Sequence, residues 1–238
     1  TSPDPMVGAV IVKDDKVISK GWHCHLGSLH AEAMALEKAG AKAKGATLYL
    51  NLEPCCHYGN NPPCTNSIIK SGIKRVVASI KDPNPLVRGK GFKELIEAGI
   101  EVDIGSLQEE AKRLNEPFIK HIITGLPFVI LKSAMSIDGK IATHTQDSKY
   151  ITSKASRQYV HVMRQYCDAI LTSVNTVKID NPLFTVRDIG TAQVVKRNPK
   201  KVVIDPLAEI PLTSKILKNE PEKTIVVVSQ KAKASRIE

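Results

Sequence analysis

The sequence predicts an α/β protein in which helices pack on mostly parallel sheets. Apolar segments of strand length alternate with amphipathic segments of helical length, and glycines stand where the helical patterns end. Hydrophobic residues make up 42% of the chain, which is enough for a buried core. This alternation indicates an α/β fold because parallel neighbours in a sheet need a crossover, usually a helix, between them.

The first half begins with two apolar runs around Asp14 and Asp15, which predict a β-hairpin over residues 7–21. Helical and extended patterns then alternate, so the later strands should run parallel. Ser106 stands three positions before Glu109, the spacing of a capping box, and predicts a helix that runs to about residue 122. The other predicted elements are a helix at 30–39, a strand at 45–52, a helix at 66–71 closed by Gly72, a strand at 75–80, a helix at 91–98 closed by Gly99 and a strand at 100–104.

Gly125 and Pro127 interrupt this pattern and predict a boundary between a domain of residues 1–124 and a second domain of residues 125–238. The second domain again reads as α/β, but the pattern stops between elements, so we expect it to be incomplete at its C-terminal end. Its predicted elements are a strand at 128–136, a helix at 155–166, strands at 169–173, 201–205 and 224–229, and a polar loop at 186–200.

The formal net charge is +10, which admits nucleic acid, an anionic membrane surface or a phosphorylated small molecule as a partner. Lysines and arginines are scattered, and aromatic residues make up only 4% of the chain, which leaves few platforms for stacked bases. No segment approaches the roughly 18 apolar residues of a membrane span, and the first residues lack a signal-peptide pattern. The sequence therefore predicts a soluble, cytoplasmic protein that acts on phosphorylated small molecules rather than on nucleic acid or membranes.

Three of the five cysteines lie within residues 55–64, and in a cytoplasmic protein such clustering indicates metal binding more than disulfides. His30 begins a predicted helix, Cys55 follows a strand and Cys64 precedes a helix. One imidazole and two thiolates make a zinc site whose fourth position is left for water, the arrangement of catalytic zinc. Glu32 can then carry protons without binding the metal, which would activate the water at neutral pH.

Each of these residues has an ordinary structural explanation when taken singly. His30 and Glu32 suit the first turn of a helix, and Cys55 and Cys64 suit a buried core. Their order matches the His-x-Glu and Pro-Cys parts of the zinc nucleobase deaminase signature, although the second cysteine lies further along than in its Pro-Cys-x-x-Cys form.

The longer spacing resembles a particular family. The stretch EPCCHYGNNPPC is similar to the E-P-C-x-H-x-G-x-x-P-P-C motif of the bacterial bifunctional riboflavin-biosynthesis deaminase/reductases. Further segments resemble that family's successive motifs, in its order, over nearly the whole chain: SPDPMVGAVIV, HAE, IKRVVASIKDPNP, GIEV, LKSAMSIDGKIAT, DSKYIT and DNPLFTVR.

The resemblance implies a cytidine-deaminase-like three-layer domain followed by a partial dihydrofolate-reductase-like domain. The first would remove the 2-amino group of 2,5-diamino-6-(5-phosphoribosylamino)pyrimidin-4(3H)-one, with zinc on His30, Cys55 and Cys64 and with Glu32 as the catalytic proton carrier. The second would use NADPH to reduce the ribosyl side chain to ribityl. The family's deaminase substrate positions correspond to Asp4, His23, His57 and Asn60.

Two of these positions depart from the family pattern, which usually has Asn at position 4 and often Lys or Arg at position 60. An acid in place of an amide alters hydrogen bonding, and a lost cation weakens a phosphate contact. We therefore expect Asp4 and Asn60 to affect substrate affinity or fine specificity rather than the zinc chemistry.

The second half has no G-x-G-x-x-G motif, so a Rossmann site is not indicated. Pro206 stands where the family often has Ser and cannot donate a backbone hydrogen bond. The family's Glu-Gly-Gly segment is absent from these 238 residues, which again suggests a fragment. The resemblance also implies pairing of reductase domains into a homo-oligomer. It places NADPH against Ala134, Tyr150 (where Trp is common), Thr152, Thr176 and Asp180, and the reductase substrate against Ser148, Arg164, Phe184 and Arg187.

Two other functions remain open at this point. One is a deaminase of another pyrimidine or purine whose second domain is inactive, which would bind no NADPH. The other is a zinc-stabilised nucleic-acid-binding module, prompted by the net charge of +10. Four closed ligands, with Cys56 as the fourth, would favour that module, whereas an open ligand position would favour catalysis.

Overall fold

The computed structural model describes residues 1–59, 61–145, 147–187 and 197–237. The chain divides into two compact units, Thr1–Ile130 and Leu131–Glu238. None of the described helices has both the length and the apolar character needed to cross a membrane.

The first unit is built on a five-stranded sheet with the order β2-β1-β3-β4-β5. The strand β1 pairs antiparallel with β2 and β3, and the remaining pairs are parallel, as the sequence predicts. The hairpin turns at Asp14 and Asp15, which both have positive φ, as a type I′ turn requires. The strands are β1 (Gly8–Lys13), β2 (Lys16–Trp22), β3 (Thr47–Leu50), β4 (Arg75–Ala78) and β5 (Glu101–Ile104).

Five α-helices accompany this sheet in the described part of the unit. The first three contribute to one large core together with buried residues of β1, β3 and β4, and the last two pack on a smaller core around Leu52 and Ile80, just beyond β3 and β4. The α/β prediction is confirmed for this unit. The helices are α1 (Ala31–Ala39), α2 (Cys64–Ser71), α3 (Lys90–Glu97), α4 (Gln108–Leu114) and α5 (Glu116–Thr124).

Helix α1 lies unusually close to β2 because of Gly21. A Cβ atom at this position would lie 2.1 Å from the carbonyl oxygen of Ala31 and 2.6 Å from the amide nitrogen of Ala35. The Ser19 hydroxyl, on the same strand, donates to the Ala35 carbonyl at 2.7 Å. These contacts hold the first turn of α1, which carries Glu32, against the sheet.

The predicted single helix from residue 106 to about 122 is wrong. The chain breaks at Asn115 into α4 and α5, because Pro117 in the first turn of α5 lacks an N–H and Asn115 leaves the helical conformation with φ −107°. Ser106 does not cap α4 either, since Leu107 is the N-cap residue and no side chain caps this end. The side chain of Asn115 instead binds the backbone of Met6, far away in sequence.

The second unit contains a parallel three-stranded sheet in the order β6-β7-β8. The predicted strands at 169–173, 201–205 and 224–229 and the predicted helix at 155–166 are confirmed, and α7 and α8 are helices that the sequence patterns do not reveal. A small core of Val177, Val203 and Ile216 joins α7, β7 and α8. The elements are α6 (Lys154–Tyr166), β6 (Ala169–Ser173), α7 (Val174–Asp180), β7 (Lys200–Ile204), α8 (Lys215–Lys218) and β8 (Thr224–Val227).

The predicted strand at 128–136 is wrong, because the structure has no regular element there. An apolar run becomes a strand only where another strand offers partners for its N–H and C=O groups. Instead, Val129 is 75% exposed and Leu131 94% exposed. Most of the predicted loop at 186–200 falls on residues 188–196, outside the described residues.

Candidate active site

The structure brings His30, Cys55 and Cys64 together in the first unit. The Nδ1 atom of His30 lies 3.2 Å from the Cys64 sulfur and 3.5 Å from the Cys55 sulfur. The ligand atoms of all three residues lie within 4.8 Å of one another. Cys56, their neighbour in sequence, stays outside this group, with its sulfur 3.9 Å from the Leu86 carbonyl oxygen.

Three different elements position these side chains. His30 is the N-cap residue of α1, Cys64 is the first residue of α2, and Cys55 lies in the loop that follows β3. The backbone N–H of Cys64 donates to the Cys55 sulfur at 3.3 Å, and the N–H of Thr65 donates to the Cys55 carbonyl at 3.2 Å. The start of α2 therefore holds the second cysteine beside the first.

The donor set and its spacing fit a zinc ion. Tetrahedral zinc binds imidazole nitrogen at about 2.0 Å and thiolate sulfur at about 2.3 Å, which places neighbouring ligand atoms roughly 3.5 Å apart. The nitrogen–sulfur distances of 3.2 and 3.5 Å are close to this value. Three protein ligands leave one position of the tetrahedron open, as in catalytic rather than structural zinc sites.

The electrostatics of the group also suit a metal. Hydrogen bonding from Cys64, aided by His30, lowers the pKa of the Cys55 thiol to about 4, so that this residue presents a thiolate. The hydrogen bond to that thiolate and burial raise the pKa of Cys64. The same thiolate raises the pKa of His30 through a side-chain hydrogen bond. A metal cation would replace the protons that these groups share.

Glu32 lies in the first turn of α1, on its buried face, with only 4% of its surface exposed. Burial raises the pKa of its carboxyl group to about 7, because an ionised carboxylate loses its hydration there. A carboxyl group that titrates near neutral pH can both accept and donate a proton in one reaction cycle.

A cavity of about 500 Å³ opens beside the three ligands and is lined by Glu32, His30 and Cys55. Three of the four sequence-predicted substrate positions, Asp4, His23 and His57, line it as well. The fourth, Asn60, lies outside the described residues. The cavity volume suits a small-molecule substrate.

Asp4 and His23 form a pair at this cavity. The Asp4 carboxylate lies 3.0 Å from Nε2 of His23, and the other ring nitrogen faces the Leu29 carbonyl at 3.2 Å. The His23 ring also meets the His30 ring edge to face, with 5.6 Å between centroids. His23 is therefore held between the N-terminal segment and the first metal ligand.

The segment that follows Asp4 is held by two side-chain amides that the sequence motifs do not indicate, the buried Asn115 and the half-buried Asn51. Asn115 accepts from the Met6 N–H at 2.8 Å and donates to the Met6 carbonyl at 3.0 Å. Asn51 donates to the same carbonyl and accepts from the Gly8 N–H, both at 2.8 Å. The sequence around these two asparagines does not indicate this role, because the backbone groups that they bind, those of Met6 and Gly8, are distant in the sequence.

Two further residues of the cavity wall, Asp82 and Asn84, were also missed as individual site residues. They follow β4, at the edge where β3 also ends and leads to Cys55, and ligands of open α/β sheets bind beyond the carboxyl ends of strands. Burial raises the pKa of Asp82 to about 6. Their position in the segment IKDPNP, just after a buried strand, was the available signal.

The second unit brings some of its predicted residues together. Ala134 and Thr152 line a cavity of about 530 Å³, whereas Tyr150, Thr176 and Asp180 are not part of its lining. Tyr150 stacks under the Arg157 guanidinium at 4.0 Å, and Thr176 lies in the first turn of α7, with Asp180 at its end.

Arg164, Phe184 and Arg187 form a second group in this unit. The Arg164 guanidinium lies 5.6 Å from the Phe184 ring centroid, and burial together with the charge of Arg187 lowers the pKa of Arg164. His161 joins the two arginines, since its Nδ1 faces Nη1 of Arg164 and accepts from the Arg187 N–H. Ser148, predicted with these three, lies in the loop before α6.

A histidine and a glutamate at the start of one helix, two cysteines beyond a neighbouring strand and an adjacent cavity define the class of zinc-dependent nucleobase deaminases. Comparison with known proteins agrees. Residues 1–80 match the family model of the cytidine and deoxycytidylate deaminase zinc-binding region, and residues 127–238 match that of the RibD C-terminal domain. The chain belongs to the RibD family of riboflavin biosynthesis proteins, as the sequence motifs predict.

Individual relatives show the extent of the match. The riboflavin biosynthesis protein RibD of Aquifex aeolicus is 50% identical over 230 residues, which are 97% of this chain and 64% of that protein. The Escherichia coli RibD is 46% identical over 213 residues, or 86% of this chain and 58% of that protein. This chain therefore spans less than two thirds of the length of these relatives.

Solved structures give the same result for the fold. Acinetobacter baumannii RibD, form 1, superposes with a TM-score of 0.90 at 43% identity, covering 100% of this chain and 66% of that chain. The Thermotoga maritima structure of a diaminohydroxyphosphoribosylaminopyrimidine deaminase/5-amino-6-(5-phosphoribosylamino)uracil reductase has a TM-score of 0.86 at 44% identity, covering 97% and 65%. The predicted fold class is thereby confirmed.

Proposed function

We propose that the first unit catalyses the zinc-dependent hydrolytic deamination of 2,5-diamino-6-(5-phosphoribosylamino)pyrimidin-4(3H)-one. The single observation that carries this proposal is the group of His30, Cys55 and Cys64 beside the buried Glu32, at the wall of a cavity of about 500 Å³. A zinc ion on the three ligands would supply Lewis-acid activation of water at neutral pH. Family membership supplies the substrate.

In this proposal Glu32 moves the protons. Its carboxylate accepts a proton from the attacking water, whose oxygen bonds to the ring carbon that carries the amine, and then delivers a proton to the departing nitrogen. The carbon–nitrogen bond breaks and ammonia leaves, so water and the diamino compound become the uracil derivative and ammonia. A pKa of about 7 suits both transfers.

The other cavity residues bind and orient the substrate. Asp4, His23, His57, Asp82 and Asn84 offer charged or hydrogen-bonding groups to a polar pyrimidine. The Asn84 side-chain oxygen already accepts from the Leu86 N–H at 3.0 Å, so its amide nitrogen is the group that remains for a ligand.

The test is an assay of ammonia release from the diaminopyrimidine phosphoriboside by the zinc-loaded chain, with cytidine and guanine as comparison substrates. We expect turnover of the phosphoriboside and little or none of the comparison substrates. Turnover of a free base or nucleoside, with none of the phosphoriboside, would favour a different deaminase and contradict the proposal.

For the second unit we propose the family's NADPH-dependent reduction of 5-amino-6-(5-phosphoribosylamino)uracil to the ribityl product. The RibD reductase domain uses NADPH, and the cavity beside Ala134 and Thr152 offers Lys132 and Ser133 to such a ligand. The paired charges of Arg164 and Arg187 suit the phosphate of the substrate.

Adding NADPH to the deamination assay tests this second activity. We expect NADPH oxidation only after ammonia release, and oxidation without prior deamination would contradict the order of the two steps.

We also propose a homo-oligomer, since one face of the β6-β7-β8 sheet presents the exposed apolar side chains of Leu171, Ile225 and Val227. Light scattering coupled to size exclusion tests it, and a monomer at all concentrations would contradict it.

A further inference from the structure

Glu53 lies between the end of β3 and Cys55; we call the loop that carries Cys55 the metal-ligand loop. The Glu53 carboxylate is buried, with only 3% of the residue exposed. Three backbone N–H groups donate to this carboxylate. Those of Asp82 and Gly89 reach Oε2 at 3.1 and 2.9 Å, and that of Phe92 reaches Oε1 at 3.3 Å. A buried carboxylate is tolerated when hydrogen bonds of this kind replace its hydration.

The three donors belong to one stretch of chain. Asp82 and Gly89 begin and end the segment of residues 82–89, which we call the recognition segment, and Phe92 lies in the first turn of α3. The recognition segment carries Asp82 and Asn84 into the cavity wall. The Glu53 carboxylate therefore accepts hydrogen bonds from both ends of the recognition segment.

Glu53 also stands two residues before the metal ligand Cys55. Its own N–H donates to the Ile80 carbonyl at 3.0 Å, just after β4. Gly91 lets α3 approach closely on the other side, because a Cβ at this position would lie 2.2 Å from the Pro54 carbonyl oxygen and 3.3 Å from Oε1 of Glu53. The metal-ligand loop and the recognition segment are thus joined through one side chain.

The Asp82 side chain continues the same network. Its Oδ1 accepts from the Asn84 N–H at 2.8 Å, so the direction of Asp82 and the backbone of Asn84 depend on each other. A shift of the recognition segment would therefore move both Asp82 and Asn84 relative to the metal ligands.

We propose that Glu53 is a positioning residue of the deaminase, whose buried carboxylate holds the recognition segment in register with Cys55 so that Asp82 and Asn84 meet the pyrimidine at the metal. The proposal rests on the proposed function of the first unit. Glu53 also lines the cavity, but both of its carboxylate oxygens already accept from backbone N–H groups, and in this role it acts through those groups.

Glu53→Gln tests the proposal, because it keeps the size of the side chain but has one acceptor oxygen where the carboxylate has two. At least one of the three N–H groups would then face an NH₂ donor, and the remaining bonds lose their ionic partner. We expect bound zinc to remain at one per chain and kcat/KM for ammonia release to fall about 10- to 100-fold, mostly through KM. Hydrogen exchange at the amides of Asp82 and Gly89 should accelerate.

The matched control is Glu94→Gln. Glu94 lies on α3, is half-buried and accepts at 2.7 Å from the hydroxyl of Thr65, a residue of α2 rather than of the recognition segment. We expect its kcat/KM to stay within about twofold of the wild-type value.

Glu53→Asp is a second test variant, which keeps the charge on a shorter side chain. It should recover part of the activity lost in Glu53→Gln, and it replaces Glu53→Gln as the test if that variant does not fold.

Two results would overturn the role of Glu53. The first is a Glu53→Gln variant with accelerated exchange at Asp82 and Gly89 but a wild-type kcat/KM. The second is loss of zinc and activity together in both Glu53 variants, which would make Glu53 a support of the metal ligands. A wild-type chain that releases no ammonia would instead defeat the proposed function, so the two failures are distinguishable.

Discussion

The Cys64 sulfur lies 3.2 Å from Nδ1 of His30, although the two residues are 34 positions apart in the sequence, with α1 and β3 between them. Cys64 begins α2, and His30 caps α1, so this distance joins the N-terminal ends of two helices. The N–H of Cys64 at the same helix end donates to the Cys55 sulfur at 3.3 Å and completes the group.

Cys55→Ser should abolish stable zinc binding, because a neutral hydroxyl replaces a thiolate that hydrogen bonds from Cys64 and His30 stabilise. Zinc content after dialysis, measured by atomic emission, should fall from about one per chain to background, and ammonia release should disappear with it. Cys56→Ser is the matched control, since its sulfur lies outside the ligand group, and it should retain zinc and activity. Equal zinc loss in both variants would contradict the assigned ligand set.

Glu32→Gln should leave zinc bound but slow the reaction, because an amide cannot accept and return the proton. Removal of a general acid–base group typically costs about 10²- to 10⁴-fold, and we expect a loss of kcat in that range. Glu37→Gln, on the exposed part of the same helix, is the control and should be close to wild type. A Glu32→Gln variant with undiminished ammonia release would exclude the proton-carrier role.

Asn115→Ala should destabilise the first unit by about 1–3 kcal/mol, because it leaves the Met6 N–H without its side-chain partner and removes one donor to the Met6 carbonyl. Denaturant unfolding gives this free energy. Lys112→Ala, which removes an exposed ion pair with Glu109, should cost less than about 1 kcal/mol. Equal losses in the two variants would show that Asn115 does not anchor the N-terminal segment.

The raised pKa of Asp82 predicts a pH dependence with a definite sign. Burial raises this pKa to about 6, above the ordinary value of about 4, so the folded state favours the protonated carboxyl group. The contribution of Asp82 to stability is therefore full below about pH 4 and is lost as the pH rises through about 6. Asp82→Asn has no such titration.

The measurement is the free energy of unfolding of metal-free wild type and Asp82→Asn between pH 4 and 7. Relative to the variant, the wild type should lose about 1–2 kcal/mol over this range, after allowance for the solvent that still reaches the group. A difference that is flat with pH, or that grows in favour of the wild type, would show that the carboxyl group is not desolvated.

Much of the first unit follows from local pattern. The hairpin around Asp14 and Asp15, the helix that begins at His30 and the helix ends near Gly72 and Gly99 depend on neighbours in sequence, because turn chemistry and helical periodicity are local properties. The residue types and order of His30, Glu32, Cys55 and Cys64 likewise indicated one kind of chemistry, and the structure brings these four residues together.

The remaining features depend on contacts between residues distant in sequence, which no local pattern encodes. Asn115 lies between α4 and α5 and binds the backbone of Met6, and the Glu53 carboxylate accepts from the N–H groups of Asp82, Gly89 and Phe92. Residues 128–136 form no strand because a strand needs another strand as its hydrogen-bond partner. Buried polar groups take whatever hydrogen-bond partners the fold brings within reach. Residue order and local pattern were therefore sufficient to predict that His30, Cys55 and Cys64 form one group, whereas only the tertiary structure decided which buried side chains hold the cavity walls around it.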